Sequence, residues 1–188
     1  MAAPSAGASA STLAHQAGAT QPTGHAVYGP GLSVCIGARA LVADAPLMPH
    51  NTKPKMIPSS AKGKKSTTEF KLLSESSLGW ALWDAPTSFL RPHQVRVHAA
   101  VQELPVMGDV LYAGPEAPLL SALLPNKRTS GIKFPVLDGL ALHLREVILP
   151  AFGEEAAAVS LRAELPRHFR VMLQRMQLSL PEAEATEA

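Results

Sequence analysis

Polar and apolar positions alternate along residues 67–73, where Thr68, Phe70 and Leu72 fall on one side of an extended chain. A second apolar run over 78–85 follows Ser74-Glu75-Ser76-Ser77, with Gly79 beside the turn. The two runs predict an antiparallel pair. Trp80 and Trp83 stand an odd number of residues apart, so a regular strand sends them to opposite faces and at least one into the core. The spacing then becomes helical. Pro92 suits a first helical turn, residues 93–104 predict a helix, and Pro105 ends it. Residues 106–114 are turn-rich, with Gly108-Asp109 and Gly114-Pro115, and residues 117–124 predict a short helix before Pro125. Leu140, Leu142, Leu144 and Val147 mark a long strand over 139–149, bounded by Pro150, and residues 156–163 read as another. Phe169, Leu173 and Met176 recur at helical spacing and predict a closing helix over 166–178. This order predicts an α+β fold, a mostly antiparallel mixed sheet with flanking helices, rather than a series of βαβ crossovers.

Charge changes the picture at both ends. No charged side chain precedes Arg39, and Ala, Ser, Gly, Thr and Pro dominate that stretch. So little bulky apolar surface cannot offset ordering entropy, and residues 1–26 are expected to form a disordered tail. A mitochondrial transit peptide is rich in arginine and a secretory signal needs a basic start and an apolar block. Neither pattern is present, and a cytoplasmic location is expected. Residues 181–188 carry Glu182, Glu184 and Glu187 and read as a solvated acidic tail, leaving 27–180 as the domain.

Composition narrows the chemistry. The chain has 188 residues, room for one ordinary domain, with 46% hydrophobic residues and 17% charged ones. Its single cysteine, Cys35, excludes a disulfide framework and a Cys-based zinc cluster, and reads as an inert apolar thiol. No apolar run is long enough to cross a membrane as a helix. Lys and Arg number 17 against 15 acidic residues, and three of the acids lie in the carboxy-terminal tail, so the body is moderately basic.

Two clusters stand out. Lys53-Pro54-Lys55 and Lys62-Gly63-Lys64-Lys65 flank a turn-rich segment and read as a basic loop, either merely solvated or in contact with phosphate. The densest polar stretch is Arg91-Pro92-His93-Gln94-Val95-Arg96-Val97-His98. Helical spacing aligns Arg91, Gln94 and His98 on one row, with His93 and Arg96 on a second. Such a face is either solvated or an anion site with two guanidinium forks. Two histidines five apart are poor metal spacing, and neither a metal nor a cofactor is expected.

The stretch resembles the G-R-T-H-Q-I-R-V-H segment of the RluA-type RNA pseudouridine synthases. Asp44-Ala45-Pro46-Leu47, Gly63-Lys64-Lys65-Ser66-Thr67-Thr68, the run from Pro105 to Gly114, Leu140-Ala141-Leu142-His143 and Leu149-Pro150 are similar to further family elements, in the family's order. The resemblance implies a truncated pseudouridine synthase catalytic fold. It covers the carboxy-terminal part of the catalytic domain and lacks the R-L-D-x-x-T-S-G segment whose aspartate performs the isomerisation. Arg128-Thr129-Ser130-Gly131 imitates only the end of that motif and reads as a turn. Leu32-Ser33-Val34-Cys35-Ile36-Gly37 resembles the family's Y-x-A-x-V-x-G strand, or alternatively Pro30-Gly31-Leu32-Ser33-Val34 resembles its earlier P-A-G-L-x-V element.

No catalytic residue is therefore assigned. The active-site remnant implied by the resemblance is Arg91, His93, Gln94, Arg96 and His98. The expected RNA contacts are Lys53, Lys55, Lys62, Lys64, Lys65, Arg91 and Arg96. The family arginine that pairs with the catalytic aspartate corresponds to Arg96. Without that aspartate, Arg96 either grips phosphate or pairs with Glu103 or Asp109. Asp109 is expected to cap a turn, Tyr112 to sit in the core or stack on a base, and His143 to be a satisfied buried histidine. Three functions fit: an RNA-binding, pseudouridine synthase-like protein without catalysis, an active isomerase completed by a partner chain, or a structural subunit of a ribonucleoprotein. Structured RNA (ribosomal or transfer) is the expected partner, with a second chain covering the truncated sheet as a further one.

Overall fold

A computed structural model describes residues 21–28, 39–123, 133–151 and 157–180. Among them run the strands β1 (Gln21–Tyr28), β2 (Ala40–Ala43), β3 (Leu47–Pro49), β4 (Met56–Pro58), β5 (Thr67–Glu75), β6 (Ala81–Asp84) and β7 (Thr87–Ser88). Helix α1 (Gln94–Val101), a 3-10 turn (Val110–Tyr112) and α2 (Leu120–Leu123) follow, then β8 (Leu142–Leu149), β9 (Val159–Arg162) and α3 (Arg167–Arg175). The main sheet has the order β2-β5-β6-β1-β8-β9, with β7 also paired to β5, and β3 and β4 form a separate hairpin. Every pairing is antiparallel. The α+β fold expected from the periodicities is the fold observed.

The pair β5–β6 is the one read from the alternation, with Leu72 opposite Trp83. Its turn lies two residues later than the serine run suggests. Ser76 Oγ accepts the Leu78 N–H, and Gly79 takes φ 80°, a left-handed conformation natural to glycine. Both tryptophans are buried. Trp80 precedes the strand, which frees it from the strict alternation. Helix α1 is shorter than the expected 93–104. His93 and Glu103 both adopt positive φ, and these left-handed residues bracket the helix before Pro105 can act.

One expectation needs correction. The tail expected to reach Ala26 overlaps β1, whose backbone pairs with β6 on one side and β8 on the other. Strand pairing is made by backbone N–H and C=O groups, so a segment poor in charge and in bulky side chains can still be held between two ladders. Residues 1–20 and 181–188 lie outside the described residues, as do Cys35, the stretch Pro30 to Gly37, and Arg128-Thr129-Ser130-Gly131.

The core lies between the sheet and the helices. Phe70 and Leu82 from the sheet, Val106 and Met107 from the loop after α1, and Met172 and Met176 at the carboxy-terminal end are all fully buried. A smaller cluster of Leu47, Met56 and Val97, with Tyr112 against it, joins the β3–β4 hairpin to α1. That cluster fixes the position of the basic loop over the helix carrying the family-like segment. Among the described residues no helix is long and apolar enough to cross a membrane.

Candidate functional site

The family-like segment divides into an inward and an outward row. Gln94 and His98 face inward. The Gln94 amide nitrogen donates to the carbonyls of Thr67 (2.8 Å) and Ser88 (3.1 Å), and its oxygen accepts the Arg91 N–H at 2.9 Å. This one side chain ties α1 to β5 and to β7. His98 is fully buried. Its Nε2 lies 2.9 Å from the Ala45 carbonyl, which can only accept, so Nε2 carries the proton and Nδ1 accepts from the Thr68 hydroxyl at 2.9 Å. Burial pushes its pKa below the ordinary histidine value, against a smaller opposing contribution from the bond to Ala45. Neither residue faces solvent, so the expected row of Arg91, Gln94 and His98 is not a shared surface.

His93 and Arg96 form the outward row. Arg96 places Nε 2.7 Å from Oδ2 of Asp109 and Nη2 2.7 Å from Oδ1, a two-bond fork. The Asp109 side chain has 0% exposure and that of Arg96 has 19%. Hydrogen bonding to Asp109 is the main cause that raises the Arg96 pKa further above its ordinary value. Of the two expectations for Arg96, pairing with Asp109 is the one the structure holds, and a guanidinium free for phosphate is not. Asp109 also caps the 3-10 turn by accepting the Tyr112 N–H at 3.2 Å.

Gly108 makes that placement possible. It has φ 78°, and a Cβ there would strike the Gly139 carbonyl.

Tyr112, expected either in the core or stacking on a base, packs against the Leu47, Met56 and Val97 cluster and joins the outward row, a link that sequence reasoning did not foresee. Its ring centre lies 5.1 Å from the Arg96 guanidinium carbon, its hydroxyl accepts the Met56 N–H at 2.9 Å, and His93 Nδ1 is 3.0 Å from the same oxygen. His93 Nδ1 and the Met56 carbonyl, 3.4 Å away, are both within reach of this hydroxyl, so it links the imidazole to the β3–β4 hairpin. Desolvation lowers the His93 pKa and the neighbouring Arg96 charge lowers it further, against a smaller opposing contribution from Asp109. The tyrosine lies three residues beyond Asp109 in Gly108-Asp109-Val110-Leu111-Tyr112. That spacing brings its amide to the carboxylate, a local signal present in the sequence.

The basic loop packs beside this row. Arg91 Nε donates to the Lys65 carbonyl at 3.2 Å, and Lys65 Nζ lies 4.7 Å from the centre of the Phe89 ring. Lys62, Lys64 and Lys65 are exposed, as is Lys53, while Lys55 and Arg91 are partly covered. Neither residues 45–68 nor residues 85–102 contain an Asp or Glu, so these two adjoining segments are uniformly basic. His143, expected to be buried and satisfied, is half-buried, with Nε2 3.3 Å from the Ala163 carbonyl and its ring against Phe169. Among the described residues no three His, Cys, Asp or Glu side chains gather as a metal site would require.

No family model matches the chain. It is 31% identical over 137 residues to the human mitochondrial pseudouridylate synthase RPUSD4, across 68% of this chain and 35% of that protein. To an RNA pseudouridine synthase of Synechocystis it is 27% identical over 129 residues, across 67% of this chain and 33% of the other. The solved structure of human RNA pseudouridylate synthase domain containing 4 aligns with a TM-score of 0.60 at 24% identity, over 87% of this chain and 64% of that one. The chain therefore spans about a third of the length of these curated relatives. The expected cytoplasmic location is overturned, because human RPUSD4 and its rat and mouse counterparts are mitochondrial proteins. That expectation rested on missing arginines before Arg39, a rule that reads only one kind of address signal. By sequence and by fold, the chain is a relative of the RluA-type RNA pseudouridine synthases that matches a part of their length.

Proposed function

We propose that this chain is an RNA-binding, pseudouridine synthase-like module of mitochondria that does not isomerise uridine by itself. The observation that carries the reading is the Arg96–Asp109 fork. The arginine that the family resemblance pairs with a catalytic aspartate is occupied here by a buried carboxylate that also caps a turn. Asp109, with no exposed side-chain surface, cannot reach a substrate. The cationic surface is separate from that pair. Lys53, Lys55, Lys62, Lys64, Lys65 and Arg91 present charge without an intervening acid, which suits a phosphate backbone. A folded sample should bind RNA with strong salt dependence and release no tritium from RNA labelled at uridine C5. Release above background would sink the non-catalytic part, and failure to bind any RNA at low salt would sink the rest. A fluorescent fusion of the natural gene product should co-localise with a mitochondrial dye, and a diffuse cytosolic signal would remove the location.

A second reading, an isomerase or ribonucleoprotein subunit completed by another chain, is favoured by one observation. Val147 pairs with Leu161 and Leu149 with Val159 at the β8–β9 edge. Leu149, Val159 and Leu161 are exposed. An apolar patch on an open edge strand is a surface that a partner can cover. Co-purification with a second chain that confers tritium release would favour this reading over the first.

A further inference from the structure

The segment just ahead of the site carries a feature that the Arg96 network does not use. Phe89 and Leu90 are consecutive large apolar residues at the surface, 36% and 60% exposed. Phe89 also holds φ at 59°, a left-handed conformation that disfavours a side chain and that glycine would adopt freely. The left-handed backbone opposes a phenylalanine here, and over a third of its surface still faces water.

The surroundings say what the ring fits. Lys65 Nζ sits 4.7 Å from the ring centre. Arg91 is held on the Lys65 carbonyl through Nε, and its backbone N–H is fixed by Gln94. Gln94 in turn holds the Ser88 carbonyl, so the chain is pinned on both sides of Phe89. The ring carries the Lys65 ammonium against it, with Arg91 bound to the Lys65 backbone, within segments that contain no acid.

We infer that Phe89, with Lys65 and Arg91 beside it, is a stacking platform for one unpaired nucleotide of a bound RNA. The base would lie on the exposed part of the ring, and its flanking phosphates against the ammonium and guanidinium groups. A paired base offers no free face to such a ring, so the platform selects single-stranded segments, loops and bulges. Bases of every kind stack, so it confers strand selectivity rather than a sequence code. The inference rests on the RNA-binding reading above.

The test uses the full chain, a fluorescein-labelled oligouridylate and a duplex RNA of the same length. Phe89→Gly removes the ring and relieves the left-handed strain, so it should fold at least as well as the parent. It should weaken oligouridylate binding on the order of tenfold, leave the salt slope unchanged, and leave duplex binding within about twofold. Phe89→Trp should restore affinity and show indole fluorescence quenched by the oligonucleotide. A Lys62→Ala, Lys64→Ala double variant should instead weaken both RNAs and flatten the salt slope. If that double variant weakens binding while Phe89→Gly does not, RNA binding stands and the platform is wrong. If polyglutamate displaces the oligouridylate as well as unlabelled RNA does, with Phe89→Gly unaffected, the surface is a general electrostatic one. If the parent binds no RNA, the functional reading and the platform fall together.

Discussion

Arg96 and Asp109 are unequal partners, and removing each should cost differently. Asp109 has no exposed side-chain surface, whereas Arg96 keeps a solvent-facing edge. Arg96→Ala strands a buried carboxylate and should cost about 3–5 kcal/mol. Asp109→Ala leaves a guanidinium that can turn to water and should cost less. Urea denaturation of both variants checks the order, and equal losses would contradict the buried-acid argument. His98 gives a pH signature. Its folded pKa lies below the unfolded value, so at pH above about 6.5 both states are neutral and its contribution is complete. As pH falls, the unfolded state takes up the proton first, and stability is lost progressively down through the folded pKa. His98→Gln should show a shallower loss of melting temperature between pH 7.5 and 5 than the parent. Parallel curves would mean that His98 is not held neutral.

At the scale of elements, the periodicities carried most of the fold. The alternation around Phe70 became β5, and the spacing of Phe169 and Leu173 became α3, because in both cases one apolar face meets the core. Strand β1 was not legible, since its place depends on two ladders formed with residues some 60 and 120 positions away in sequence, and hydropathy carries no trace of such pairing. Proline at position 27 would delete a donor from an interior strand and should destabilise the chain by about 3 kcal/mol or more. Unchanged stability of Val27→Pro would place the strand elsewhere.

The site was legible in part for the same reason. The segment from Arg91 to His98 was found by composition and resemblance, but its division into two rows was not. Gln94 and His98 turn inward because acceptors on β5, β7 and the Ala45 carbonyl wait there, and those contacts are long-range. Gly108→Ala tests the turn that aims Asp109. With φ 78° and the Gly139 carbonyl in the way, it should cost more than about 1 kcal/mol, measured by the same denaturation.

For the whole molecule, the relation to the RluA-type synthases supplies ancestry, while activity depends on groups brought together in the site. Here those groups form a hydrogen-bonded network next to two segments that contain Lys and Arg but no acid. Replacing Lys62, Lys64 and Lys65 together by Ala should weaken binding to unrelated RNAs alike and reduce the single-strand salt slope by about 2. A loss confined to one RNA would contradict a mainly electrostatic grip. The most direct test of the central claim is tritium release from RNA labelled at uridine C5, by the folded chain alone, on RNA that it demonstrably binds. The expected result is binding without release. Release above background would show that the chain isomerises uridine and that a carboxylate other than the buried Asp109 performs the chemistry.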